Sequence, residues 1–332
     1  MAVSLGSHEK GSGTCRPGKI VAMRSGFKCA PPAENAGGGP YNTRMTYRGR
    51  FAPSPTGRLH FGSLVAALAS WLCARHAGGR WLVRMEDIDP PREVPGSAGD
   101  ILAALPAFGL VADEPVLFQS SRREAYDAAF RRLRDDGMVF PCWCSRADLA
   151  AAGGMHRDGK CVAPPDPARA PAWRLRVPDV DVAFEDALQG PQRQNLRESA
   201  GDFVIKRVEG FYAYQLACVV DDAWQGVTAV VRGNDLLDST PRQIWLQRCL
   251  DLPTPAYLHL PLAVDAAGRK LSKSEGAQPV DPSDPLPALR RALHFLDLPD
   301  DPAAADPGAL LARALERFDP RRLPHCSERM AA

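Results

Sequence analysis

Neither sign of charge is in excess in this chain. Across 332 residues, 41 Lys+Arg stand against 39 Asp+Glu, a formal net charge of +2. No global attraction to nucleic acid follows, and such a partner would need a local basic patch. Long apolar runs are missing too: no stretch of about 18 apolar residues occurs, which argues against a transmembrane helix. Residues 1–44 hold no apolar core of a secretory signal. A disulfide framework is also lacking. Nine scattered cysteines, an odd number, fit reduced thiols in the cytoplasm. No internal repeat is evident. What is there is ordinary for a soluble globular chain, 45% apolar and 24% charged, and long enough for one large domain or two modest ones.

Residues 1–44 are rich in Gly, Ala, Ser and Pro and carry neither helical nor strand periodicity. They are expected to be a disordered extension; a transit peptide is the weaker alternative, and Met23 and Met45 are alternative translation starts. From Arg50 the pattern changes. Phe51 to Ser54 reads as a strand, a turn follows through Pro55, Thr56 and Gly57, and Ser63 to His76 carries the stripe of a core-facing helix. Gly78 and Gly79 end it, and Trp81 to Met85 reads as a buried parallel strand. Strand, glycine-bearing turn, helix and strand make a βαβ unit, hence a doubly wound α/β fold. A second helix is expected from Ser121, with Glu124 completing a capping box. Strands are expected at Phe203 to Val208 and Gly226 to Val231. The organisation read from this is an extension (1–46), two halves of a Rossmann-type domain (47–140 and 201–284), an insertion between them (141–200), and a short helical C-terminal segment (285–332).

Three separated segments carry chemistry. In the first, Arg50 to Ser63, a turn feeds a helix N-terminus, where free backbone N–H groups and the dipole favour a phosphate. His60 adds a donor beside that position, and Gly62 permits close approach. The second, Gly268 to Gly276, sets Lys270 and Lys273 among serines and glycines, as suits a loop that closes over polyphosphate. In the third, Arg232 stands at a strand end, where α/β folds bind ligands, and its guanidinium suits a carboxylate. Each has a bland alternative: a tight turn with a solvated histidine, an exposed basic loop, and a surface ion pair between Arg232 and Asp235.

Taken together, the three segments resemble the catalytic core of class I glutamyl-tRNA synthetases. His60-Phe61-Gly62-Ser63 stands where that class has His-Ile-Gly-His. Lys270 to Ser274 stands where it has Lys-Met-Ser-Lys-Ser, with leucine in place of methionine. The resemblance runs from about Arg50 to Ser274. It implies an enzyme that joins glutamate to a tRNA nucleotide through an adenylate, with Mg-ATP as co-substrate. It also implies a glutamate pocket built from Arg50, Ser54, Glu86, Tyr214 and Arg232, with Glu86 on the α-ammonium. ATP is implied to meet Pro53, Thr56, His60, Gly62 and Lys273. His60, Gly62, Lys270 and Lys273 would carry the catalysis. Two buried guanidiniums favour glutamate over the neutral glutamine.

The similarity is closer to the shortened paralogues of that family, which glutamylate queuosine in tRNA(Asp). Only 58 residues follow Ser274, fewer than the anticodon-binding region of an ordinary glutamyl-tRNA synthetase needs. Cys142, Cys144, His156 and Cys161 also resemble the paralogues' zinc segment. Three thiolates and an imidazole form a closed, structural type of zinc set. The paralogues commonly have tyrosine where His156 stands. The remaining cysteines are expected to be bland. A monomer in the cytoplasm is the expected form. The competing readings are a conventional synthetase charging the 3′ end of tRNA(Glu), a small-molecule nucleotidyltransferase, and a non-catalytic glutamate- or tRNA-binding paralogue.

Overall fold

The structure, a computed structural model, describes residues 46–271 and 279–331. The expected extension therefore lies outside the described residues, save Thr46.

The chain enters as β1 (Arg48–Phe51), turns, and rises into α1 (Phe61–His76) before β2 (Arg80–Met85). The expected βαβ unit is thus present, and its helix starts two residues early because His60 serves as N-cap, its imidazole accepting from the Ser63 N–H. α2 (Ser97–Ala107), β3 (Leu117–Phe118) and α3 (Arg123–Asp135) complete this half. No capping box forms at Ser121. A short 3₁₀ turn, Gln119–Arg122, precedes α3, and the Ser121 hydroxyl donates back to the Phe118 carbonyl at 2.7 Å. Tyr126, Phe130 and Leu133 do share the buried face of α3.

The middle of the chain carries β4 (Val139–Cys142), α4 (Arg146–Ala151), β5 (Ala172–Leu175), β6 (Asp181–Asp186), β7 (Gly190–Asn195), α5 (Leu196–Ser199) and β8 (Phe203–Lys206). It does not fold as one separate body. β4, β5 and β8 form a small antiparallel sheet, whereas the β6–β7 hairpin extends the main sheet. The expected boundaries at 141 and 200 therefore cut across both sheets. Then come α6 (Tyr214–Trp224), β9 (Ala229–Gly233), α7 (Thr240–Cys249), β10 (Ala256–Leu260) and β11 (Leu262–Val264). The tail is α8 (Pro285–Phe295), α9 (Pro307–Glu316) and β12 (Glu328–Met330). It is not purely helical, since β12 pairs in parallel with β11.

The seven-stranded sheet runs β3-β2-β1-β9-β10-β6-β7, and every neighbouring pair is parallel except β6–β7. Alternation along the strands separates two cores. Phe51, Trp81, Val83 and Met85 pack with α1, α2, α8 and α9, while Leu82, Val230 and Tyr257 pack with α3, α6 and α7. β2 and β3 follow β1 on one side of the sheet, and β10 follows β9 on the other. The crevice between the carboxyl ends of β1 and β9 is the switch point where such sheets bind ligands.

Candidate active site

A cavity of about 820 Å3 opens at that switch point, within the usual size of a small-molecule site. Arg50, Ser54, Glu86, Tyr214 and Arg232 all line it, as do Pro53, Thr56, His60, Gly62 and Lys270. Arg50 and Arg232, 182 positions apart in sequence, thus converge on one space. Lys273 lies outside the described residues. The described chain stops at Leu271 in the cavity wall and resumes at Pro279, which bridges His60, while the Val280 N–H donates to the Leu59 carbonyl at 2.9 Å.

At one end stands His60. Its Nδ1 accepts from the Ser63 N–H at 3.4 Å, which leaves the proton on Nε2, 3.1 Å from the Ser63 hydroxyl. Burial, and then the Lys270 charge, hold the imidazole below its ordinary value, so it is neutral at pH 7. A methyl group added at Gly62 would sit 3.6 Å from the His60 ring, an ordinary contact. Packing among the described residues therefore does not require glycine there, and Gly62 lines the cavity.

The opposite end is built from buried charges. Arg50 and Leu82 are partners in register, so Arg50 and Arg84 point to the same face of the sheet. Both meet Asp222 of α6: Arg84 Nη1 at 2.7 Å and Arg50 Nε at 3.3 Å. Arg84 Nη2 also donates to Glu86 at 3.3 Å. Burial pushes the Glu86 carboxyl up, against the pull of Arg84 and Arg50. For Asp222 the order is reversed in effect: burial raises it, but the two guanidiniums outweigh burial and hold it at about 2. Arg92, also near Glu86 in sequence, pairs with Asp89 at 2.5 Å.

Arg232 is 4% exposed, and Asp235 is not its partner; Asp235 pairs with Lys270 at 2.5 Å. Its guanidinium meets His259 Nε2 at 3.0 Å, Gln243 Oε1 and Thr240 Oγ1 at 2.9 and 2.8 Å, and the Tyr214 hydroxyl and Leu236 carbonyl at 3.3 Å each. Among the described residues, every one of these contacts is neutral. A buried cation without a carboxylate in contact is expensive unless a ligand supplies one.

Cys218, Asp222 and His259, unlike Tyr214, were not legible as site residues. Tyr214, Cys218 and Asp222 recur at i, i+4 and i+8 on α6 and share a face; an acid closing an otherwise apolar stripe was the available signal. Cys218, expected to be bland, lies 3.8 Å from Arg50 and 3.7 Å from Arg84. His259 sits in the apolar run Tyr257 to Leu260, where a lone histidine is the only hint.

Away from the cavity, Cys142, Cys144, His156 and Cys161 bring one ligand atom each to within 4.8 Å of one another. His156 Nδ1 is engaged by Asp202 at 2.9 Å, while its buried Nε2 has no hydrogen-bond partner among the described residues. Backbone N–H groups of Val162 and Ala163 point at the Cys144 sulfur at 3.3 and 3.5 Å, and Arg174 Nε at the Cys142 sulfur at 3.2 Å. Burial and the two neighbouring cysteines push the Cys161 thiol up to about 12. Crowded sulfurs with N–H donors and an unpartnered imidazole nitrogen are what a divalent, thiolate-binding metal satisfies.

Comparison with known proteins agrees with this geometry. The sequence family described as tRNA synthetases class I (E and Q), catalytic domain, matches residues 46–284. The Glutamyl-Q tRNA(Asp) synthetase of Xanthomonas campestris pv. campestris (strain 8004) is 57% identical over 87% of this chain and 97% of its own length. The protein of the same name from Burkholderia mallei is 56% identical over 84% of this chain and 98% of its own length. Among solved structures, the glutamate-tRNA synthetase of Elizabethkingia anophelis superposes with a TM-score of 0.73 at 25% identity, covering 86% of this chain and 68% of that one.

Proposed function

The chain belongs to the catalytic family of class I glutamyl- and glutaminyl-tRNA synthetases, and from that premise we propose that it activates glutamate with ATP and transfers it to queuosine in tRNA(Asp). The observation that carries glutamate is Arg232, a buried guanidinium whose direct contacts among the described residues are all neutral. Arg50 and Arg84 already share Asp222 and Glu86. A side-chain carboxylate completes the Arg232 environment, and the amide of glutamine would leave the charge uncompensated. Glu86 lies at the carboxyl end of β2 on the cavity wall, where it can accept from the substrate ammonium.

In the first step an α-carboxylate oxygen attacks the α-phosphorus of Mg-ATP, and the bond to the bridging oxygen breaks to release pyrophosphate. No protein nucleophile is needed. His60 Nε2–H, the N–H groups opening α1 and Lys270 neutralise the phosphate charge, with Lys273 assigned the same task from its sequence position. In the second step an acceptor hydroxyl attacks the carbonyl carbon and AMP leaves. The queuosine acceptor is supported by the names of relatives that this chain covers almost end to end.

Zinc is the metal that the Cys142, Cys144, His156 and Cys161 set fits, with His156 binding through Nε2. It would pin the loop after β4 to the small sheet as a structural centre, and no step of the reaction runs through it.

The deciding experiment is transfer of labelled glutamate to purified tRNA(Asp), with and without queuosine, beside tRNA(Glu). Label on queuosine-containing tRNA(Asp) alone supports the reading; label on tRNA(Glu) makes this a conventional glutamyl-tRNA synthetase.

A further inference from the structure

Behind Arg232 lies a second layer of polar residues that touches no part of the cavity. His259 on β10 is the register partner of Arg232 on β9. A guanidinium only donates, so His259 Nε2 accepts the Arg232 Nε–H at 3.0 Å. The imidazole proton therefore sits on Nδ1, which donates to Asp186 Oδ2 at 2.5 Å. The other oxygen of Asp186 accepts three backbone N–H groups, from Leu188 at 3.1 Å, Gln189 at 2.9 Å and His259 itself at 3.2 Å. His259 is 0% exposed and Asp186 1%.

We propose that Asp186 and His259 are positioning residues for amino-acid recognition, an acid–imidazole relay that fixes the orientation of Arg232 while leaving its charge for the substrate. The proposal rests on the reading that Arg232 takes the glutamate carboxylate. Its logic is electrostatic. A carboxylate placed directly on Arg232 would hold it equally well but would cancel the charge that selects glutamate. A neutral imidazole between the two passes on the orientation without the cancellation. Burial keeps His259 below the ordinary imidazole value, and the Arg232 charge assists, against the hydrogen bond to Asp186. Asp186 is anchored in turn: it opens the turn after β6, where Gln189 Nε2 donates to the His259 and Cys326 carbonyls at 2.9 and 3.1 Å and His325 Nδ1 meets the Leu188 carbonyl at 3.0 Å. Neither the insertion hairpin nor the C-terminal segment lines this end of the cavity, yet both reach it through the relay.

The test uses the full chain in glutamate-dependent ATP–pyrophosphate exchange. In Asp186→Asn the remaining oxygen stays with the three backbone N–H groups, so the amide nitrogen faces His259 Nδ1. The imidazole proton then moves to Nε2 and confronts Arg232 Nε–H, donor against donor. KM for glutamate is expected to rise about 10- to 100-fold, with KM for ATP within about twofold and a reduced preference for glutamate over glutamine. His259→Leu should do the same. His259→Gln, which can donate to Asp186 and accept from Arg232, should retain most of the preference. In the His259→Leu background Asp186→Asn should add little, as two parts of one relay. Arg232→Gln separates the two claims: no effect on glutamate KM overturns the parent reading, whereas an effect there with none from Asp186→Asn overturns the relay. Equal losses for ATP and glutamate, or a lower melting temperature with an unchanged glutamate preference, also overturn it. Nitrogen NMR of the parent's imidazoles reads the same point without a variant, because a His259 protonated on Nε2 is incompatible with the relay.

Discussion

Lys270 Nζ lies 2.5 Å from Asp235 Oδ2, so the amine assigned to polyphosphate is held by a carboxylate at the cavity wall. Both side chains are about a third exposed, and such a pair is worth up to about 1 kcal/mol. On the proposed reading, ATP displaces it. Asp235→Ala should lower the KM for ATP up to about fivefold and change stability by less than about 1 kcal/mol. Lys270→Ala should slow adenylate formation by about 10²–10³. Exchange kinetics across ATP concentrations check both, and a raised ATP KM in Asp235→Ala would refute the competition.

Asp222 couples stability to pH. Its folded carboxyl titrates at about 2 against an ordinary 3.8, so as pH falls the unfolded chain takes up the proton first. The stabilisation is complete above about pH 4 and is lost on descending toward pH 2, a change of roughly 2 kcal/mol. At neutral pH, Asp222→Asn leaves Arg50 and Arg84 underpaired and should destabilise by about 3–5 kcal/mol. Denaturant titrations at pH 7, 5 and 3 should show the gap between parent and variant narrowing only at the acid end. A constant gap would mean that Asp222 is not held low.

Metal removal should unfold the small sheet before the main one. The preparation is expected to contain about one equivalent of zinc per chain, and Cys161→Ser or His156→Ala should lose it. Elemental analysis with a thermal melt reads this directly. Full metal occupancy in His156→Ala would remove the imidazole from the ligand set.

Gly201 is the glycine on which the His156 loop depends. Its φ is +59°, and an added Cβ would fall 2.2 Å from the His156 carbonyl oxygen, the atom that accepts the Asp202 N–H at 2.7 Å. Gly201→Ala should cost roughly 1–3 kcal/mol and weaken metal retention at once. Separate measurement of melting temperature and chelator-dependent metal release tests whether the two losses travel together.

The residues that announced themselves in the sequence are those whose chemistry is local. The turn after β1, the His60 cap and the glycines are read from spacing because one short segment makes the whole feature. Arg232 was visible because it ends an apolar strand. The residues that escaped notice act through register or through a distant helix. His259 stands beside Arg232 only because β10 pairs with β9 at that offset, and Asp186 joins them only because the β6–β7 hairpin adds to the main sheet. The cap expected at Ser121 failed for a related reason. The 3₁₀ turn at Gln119 is fixed by tertiary contacts, with Gln119 Nε2 on Asp221 at 2.9 Å, and it delays the helix.

The central place of β1 carries a consequence for synthesis. One edge is completed early, when β2 pairs at Arg48↔Arg80, but the other waits for β9, 180 residues further on at Gly49↔Ala229. At translation rates of about 5–20 residues per second, that edge stays open for roughly 10–40 s. A nascent sheet with a bare middle is a target for wrong pairing. Arg48 and Arg50, whose charges later meet Glu114 and Asp222, stand on that strand throughout the interval, and charged side chains on an open strand are the kind of feature that disfavours edge-to-edge pairing.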